Sequence, residues 1–253
     1  MWGAGIYTAR ADGSDRTLVA RIPGAYGGQH WSSEAKAFIT RVERGDAGQG
    51  IKGYVVRAEL SGEIANLSSR NGGSSDAMVA WAPDGKRIVF VSTRQGDQLP
   101  QLYVMDANGS DVSKILTTPF EVQYPQWAPD GSAIAFTGVV DDGFELFTVT
   151  PDGTELTRLT RTPESENWPT WSGDSSQIAF SANDEIWTMR ADGTERRQVT
   201  SGDETGGEPN WSPDGELIAF DCGGEIAMIC AIRPDGTGFT RLFRRAGFPF
   251  WIR

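Results

Sequence analysis

The chain has 253 residues, 31 of them glycine and 9 tryptophan, with 38% apolar residues and a net charge of −11. That balance is the opposite of the clustered lysine and arginine that a phosphate backbone demands, so no nucleic-acid partner is expected. No apolar run of about 18 residues exists to cross a membrane as a helix, and Met1 to Arg10 lacks the basic stretch and apolar core of a signal peptide.

No long Ala/Glu/Lys/Leu segment carries a 3.6-residue period, whereas glycine, tryptophan and β-branched residues are plentiful, which predicts an all-β chain. The first predicted strand, Ile6-Tyr7, runs into the turn Asp12-Gly13 and is followed by a short strand at Leu18. Trp31 then opens a series of tryptophans in one recurring setting: Trp31, Trp81, Trp127, Trp171, Trp211 and Trp251, at intervals of 50, 46, 44, 40 and 40 residues. After four of them the sequence is nearly constant: Trp81-Ala-Pro-Asp-Gly85, Trp127-Ala-Pro-Asp-Gly131, Trp171-Ser-Gly-Asp-Ser175 and Trp211-Ser-Pro-Asp-Gly215. Proline presets φ, aspartate bonds the backbone beyond it, and glycine accepts the left-handed conformation, so each motif predicts a tight turn.

Seven residues past each anchor an apolar strand begins, at Ile88-Val-Phe90, Ile134-Ala-Phe136, Ile178-Ala-Phe180 and Ile218-Ala-Phe220, with Phe38-Ile39 in the weaker second repeat. A third strand runs into a second turn: Leu102-Tyr103 before Asn108-Gly109, Leu146-Phe147 before Asp152-Gly153, Ile186-Trp187 before Asp192-Gly193. Asn-Gly and Asp-Gly between apolar runs are strong hairpin signals. A fourth strand follows at Leu67, Leu116, Leu159, Val199 and Leu242.

Four strands per repeat of 40 to 50 residues predict a six-bladed β-propeller of four-stranded antiparallel blades, a single domain over 1–253 with repeats starting near Trp31, Trp81, Trp127, Trp171 and Trp211. The first blade is expected to be split between the termini, 1–22 with 248–253, and to be incomplete for want of a strand before Ile6. Pairing the two ends would remove an exposed sheet edge. The tryptophans read as wedges between neighbouring sheets.

The Trp-Ser-Pro-Asp-Gly, Ile-Ala-Phe and Asp-Gly-Thr elements resemble the WD-like repeats of TolB-like propellers and of the propellers in prolyl-oligopeptidase relatives; the resemblance spans nearly the whole chain. It implies a periplasmic or extracellular, non-catalytic, protein-binding scaffold, with the propeller portion of a hydrolase lacking its catalytic domain as the alternative. A monomer is expected. Fold alone does not choose between these roles.

No catalytic residue is assigned. The hydrolase relatives need a Gly-x-Ser-x-Gly elbow and a histidine, but the nearest text, Gly72-Gly-Ser-Ser-Asp76, lacks the last glycine, and His30 is the single histidine. One imidazole cannot build a His-rich metal centre. The regular recurrence of the turn aspartates Asp12, Asp84, Asp130, Asp152, Asp174, Asp192, Asp214 and Asp235 favours turn capping over calcium ligation, the alternative their chemistry allows, and no metal or other cofactor is assigned. Cys222 and Cys230 face each other if the last repeat is aligned on Pro234-Asp235-Gly236, and form either a disulfide or two buried thiols.

The segments between repeats, unlike the turns, diverge, and divergence points to recognition. They carry the aromatics Tyr26, Phe120, Tyr124 and Trp168 beside the acids Glu164, Glu166, Asp203, Glu204 and Glu208, with Asp141-Asp142 inside the fourth repeat. Aromatic anchors with an acidic rim predict a protein partner that presents a basic segment.

Overall fold

The computed structural model describes residues 4–8, 10, 14–15, 17–22, 30–46, 50–59, 63–68, 75–140, 143–202, 206–222, 228–244 and 251. The chain divides into two compact units, Met1–Pro119 and Phe120–Arg253, and every sheet lies within one of them.

In the first unit β1 (Ala4–Thr8) and β2 (Thr17–Ile22) form a two-stranded hairpin. Two four-stranded antiparallel sheets follow. One holds β3 (His30–Ser32), β4 (Ala37–Asp46), β5 (Gly50–Glu59) and β6 (Ile64–Asn66); the other holds β7 (Asp76–Trp81), β8 (Arg87–Ser92), β9 (Gln101–Asp106) and β10 (Ser113–Leu116). The β4–β5 hairpin is paired over ten residues and dominates its sheet. Between the two sheets Ile39, Val55 and Leu67 pack with Trp81, Ile88, Phe90, Tyr103 and Met105.

The second unit has three four-stranded antiparallel sheets. They are β11 (Glu121–Trp127), β12 (Ile134–Val140), β13 (Gly143–Val149) and β14 (Leu156–Arg158); β15 (Glu166–Trp171), β16 (Gln177–Ala182), β17 (Glu185–Arg190) and β18 (Arg197–Gln198); and β19 (Gly207–Trp211), β20 (Ile218–Asp221), β21 (Met228–Ile232) and β22 (Thr240–Arg244). Trp171 packs against Ala128, Ala135 and Leu146 of the sheet before its own, and Trp211 likewise against Ala179, Ile186 and Val199 of the sheet before its own. Trp81, Trp171 and Trp211 are therefore wedges between sheets of one unit, and such a side chain removes roughly 150–250 Å² from water. Trp81, Trp127, Trp171 and Trp211 are buried, whereas Trp31, tilted against Phe38, is only half-buried.

Among the described residues the all-β architecture has five four-stranded blades, two in the first unit and three in the second, which corrects the expectation of six. A tryptophan marks the end of a blade's first strand, but a blade also needs three strands after it, so counting anchors overstates blades. Trp251 follows β22 with no strand assigned to it, and β1 and β2 form only a hairpin. The rest of 248–253 lies outside the described residues.

The turns explain the constancy of the motif. The carboxylates of Asp84, Asp130, Asp174, Asp214, Asp152, Asp192 and Asp235 each accept the backbone N–H two residues on, at 2.9–3.1 Å. Neighbouring hydroxyls add to this: hydrogen bonds from Thr150 and Thr154 hold the Asp152 carboxyl down to about 2. Asp12 lies outside the described residues. Gly85, Gly131 and Gly215 close their turns at φ of 66°, 76° and 75°, and Ser175 does so at 62° without glycine's freedom.

Candidate partner-binding site

The strands that end in the anchor tryptophans share a second feature. In β7, β11, β15 and β19 the pairing with the next strand slips between Ala77 and Ala80, Gln123 and Gln126, Asn167 and Thr170, and Gly207 and Asn210. At each slip one residue, three before the tryptophan, takes a left-handed backbone: Met78 (φ 49°), Tyr124 (49°), Trp168 (52°) and Glu208 (54°). A side chain there costs roughly 1–2 kcal/mol relative to the right-handed regions. Bulges of this kind re-aim a side chain and cluster beside functional sites.

In the second unit the residue after each left-handed position is a buried proline: Pro125, Pro169 and Pro209. Proline has no N–H to give a ladder and is confined to edge strands and bulges. β11, β15 and β19 are the first strands of their sheets, each with one edge unpaired within its sheet. Proline and bulge together make these edges poor templates for an added strand. What they present is side chains.

Those side chains meet. The rings of Tyr124 and Trp168 lie 5.5 Å apart, tilted by 54°. A Cβ placed on Gly207 would stand 3.3 Å from Cζ3 of Trp168, so the residue next to Glu208 is one that leaves room for the indole. The Asn167 side chain accepts the Trp168 backbone N–H at 3.0 Å and the Thr137 hydroxyl at 3.0 Å, which ties the bulge of β15 to β12. Burial pushes the Tyr124 phenol up against the opposing pull of the Trp168 side chain, and the negative charges of Glu208 and Glu121 add to the rise. Burial, with a smaller contribution from Asp221, pushes the Glu208 carboxyl up to about 7. Tyr124, Trp168 and Glu208 are all half-buried, so each keeps some surface in solvent.

The other predicted site residues fall elsewhere. Phe120 stacks on Phe147 at 4.9 Å and lies over Gly138, as packing within its own blade. Glu166 is fully buried: its Oε1 accepts the Thr162 hydroxyl and lies 3.2 Å from Nη2 of Arg196. Nη1 of the same guanidinium is 3.3 Å from Glu164, and its plane sits 4.3 Å from the Trp187 ring centroid. Burial raises the Glu166 carboxyl against the pull of Thr162 and Arg196, whereas hydrogen bonding from Thr162, and then Arg196, lowers that of Glu164. Glu166 is thus part of an internal ion pair rather than of an exposed rim. Tyr26, Asp141, Asp142, Asp203 and Glu204 lie outside the described residues.

Arg196 and its counterpart Arg158, which pairs with buried Glu145 at 2.9 Å, were not anticipated from sequence. Thr160 and Thr200 were also missed. Each caps a backbone N–H, of Leu146 and Ile186, and donates its hydroxyl to a carboxylate, of Glu145 and Glu185. The repeated Leu-Thr and Val-Thr pairs at 159–160 and 199–200 carried that signal.

His30 sits on β3 opposite Ile39, and burial lowers it to about 4, which keeps the imidazole neutral. Cys222 and Cys230 are joined as a disulfide with Cα atoms 5.8 Å apart. They bridge diagonally rather than directly, since Cys230 stands opposite Phe220 and the Cys222 N–H bonds the Met228 carbonyl.

Four-stranded antiparallel blades, with an aspartate turn after Trp81, Trp127, Trp171 and Trp211, define a β-propeller. The family model described as the TolB beta propeller domain matches residues 117–229. Among solved structures, the chain is similar to a putative TolB from Agrobacterium tumefaciens (TM-score 0.77, 19% identity, 91% of this chain and 84% of that one). It is also similar to TolB from Acinetobacter baumannii (TM-score 0.77, 19% identity, 98% of this chain and 62% of that one). A 63-residue stretch, 25% of this chain, is 40% identical to the uncharacterized peptidase YuxL of Bacillus subtilis (strain 168), and spans 9% of that protein's length. No helix among the described residues is long and apolar enough to cross a membrane.

Proposed function

We propose that this chain is a non-catalytic protein-binding scaffold whose partner docks on the bulged anchor strands β11, β15 and β19. The observation that carries the reading is the convergence of Tyr124, Trp168 and Glu208, three left-handed, half-exposed residues at one position of three successive blades. Strained backbone in three places is retained where the re-aimed side chains serve recognition. Aromatic anchors flanked by charge are the composition of an interface hot spot. The chain's net charge of −11 favours a basic partner segment and speeds its encounter. The Cys222–Cys230 disulfide and the likeness to TolB support an extracytoplasmic setting, where such bonds persist.

The test is site-specific photo-cross-linking in the native source. p-Benzoylphenylalanine in place of Trp168 should yield a discrete adduct that excess wild-type chain competes away. The same group in place of Asp174, in the β15–β16 turn, should not. Adducts from Asp174 alone would reject the docking surface.

The stretch shared with the peptidase YuxL favours a second reading, in which the propeller gates or positions substrate for a hydrolase domain. A hydrolase coding sequence contiguous with this one would support it.

A further inference from the structure

Resting on that docking surface, we propose that Tyr124, Trp168 and Glu208 form a receptor for one cationic side chain, lysine or arginine, of an extended partner segment. The argument starts from the carboxylate. Glu208 is half-buried, and among the described residues no basic group pairs with it; the charge that acts on it is that of Asp221, of its own sign. The fully buried carboxylates of this unit, Glu145 and Glu166, each have a guanidinium, that of Arg158 and that of Arg196. A partly desolvated carboxylate beside a second one is a place where a cation is missing.

The aromatic pair supplies the rest of such a receptor. An ammonium or guanidinium is attracted to an indole or phenol face within about 6 Å, at roughly 0.5–2 kcal/mol depending on desolvation. Tyr124 and Trp168 lie tilted by 54° rather than stacked flat on each other. The chain already uses this chemistry internally, with Arg196 over Trp187 at 4.3 Å and Arg94 over Phe90 at 4.7 Å. Proline at 125, 169 and 209 withholds backbone N–H groups from these edges, so recognition falls to side chains rather than to strand addition. A basic residue of the partner would neutralise Glu208 and lie over the rings, its aliphatic stem against them.

The experiment is a titration of folded, 15N-labelled chain with Nα-acetyl-lysine methylamide and Nα-acetyl-arginine methylamide, against Nα-acetyl-norleucine methylamide at equal ionic strength. The readout is the indole N–H resonance of Trp168, assigned by its loss in Trp168→Phe. The expected result is a saturable shift with at least one cation, none with norleucine, and about fivefold weaker binding in Glu208→Gln, whose shape is unchanged. Equal shifts with norleucine, a linear response, or undiminished binding by Glu208→Gln would overturn the receptor. Cross-linking at Trp168 without any cation response leaves the docking surface standing and removes the cation receptor, whereas loss of both removes both.

Discussion

The indole Nε1 of Trp251 donates a 3.1 Å hydrogen bond to the carbonyl of Asn210, repeating the 3.2 Å bond that Trp171 makes to Gln126. In both cases the acceptor is the residue just before the anchor tryptophan of the preceding blade, 41 and 45 residues back. Trp251 thus does an anchor's work on β19 although no strand is assigned to it. Trp171→Phe and Trp251→Phe should each cost about 1 kcal/mol, the net worth of one hydrogen bond. Trp171→Ala, which also opens a cavity, should cost about 3 kcal/mol or more. Urea denaturation of the three variants reads these differences.

Ser175 occupies the turn position that is glycine in three sister turns, and holds φ at 62°. Ser175→Gly should stabilise the chain by about 0.5–1 kcal/mol by relieving the left-handed cost. The gain is trimmed by losing the bond from the Asp130 N–H to the serine hydroxyl. A midpoint in urea at or below that of the wild type would show that this bond outweighs the strain.

The Cys222–Cys230 bond closes a loop with a sequence separation of 8, and cross-linking so short a loop contributes about 2–3 kcal/mol. Reduction, or the double change to serine, should lower the thermal midpoint by several degrees without altering the far-ultraviolet spectrum. An unchanged midpoint would mean that the hairpin β20–β21 holds its own geometry.

Glu208 sets a pH dependence with a definite sign. Its folded carboxyl is raised to about 7 by burial and, less, by Asp221, so between the ordinary carboxylate range and pH 7 the folded chain binds a proton that the unfolded chain has released. Stability from this group is therefore full at the acid end of that window and falls as pH rises toward 7. Glu208→Gln should flatten the slope between about pH 5 and 7. A cation bound beside Glu208 favours the ionised form, so lysine-analogue affinity should rise with pH over the same window. An affinity flat across it would mean that Glu208 does not take part.

Much of this was legible in the sequence because it rests on local rules. The anchor tryptophans, the Ile-Ala-Phe strands and the Asp-Gly turns each follow from burial or turn chemistry within a few residues, and Tyr124, Trp168 and Glu208 stood out as divergent aromatic and acidic positions. The bulges did not stand out, yet a signal was present: proline recurs two residues before Trp127, Trp171 and Trp211, inside what must be a strand. Proline there demands an edge or a bulge, and that rule places the preceding residue at the irregularity. The burial of Glu166 was hidden for a different reason. Its partner Arg196 lies 30 residues on, and only the folded blade brings the guanidinium back across its face.

The most direct test of a cation-reading docking surface is selection of linear peptides from a randomised display library on immobilised wild-type chain, Trp168→Ala and Glu208→Lys. Lysine or arginine should be enriched at one fixed position of the peptides retained by the wild type, and that enrichment should vanish in both variants. Retained peptides with no basic preference, or a basic preference that survives Glu208→Lys, would contradict the account.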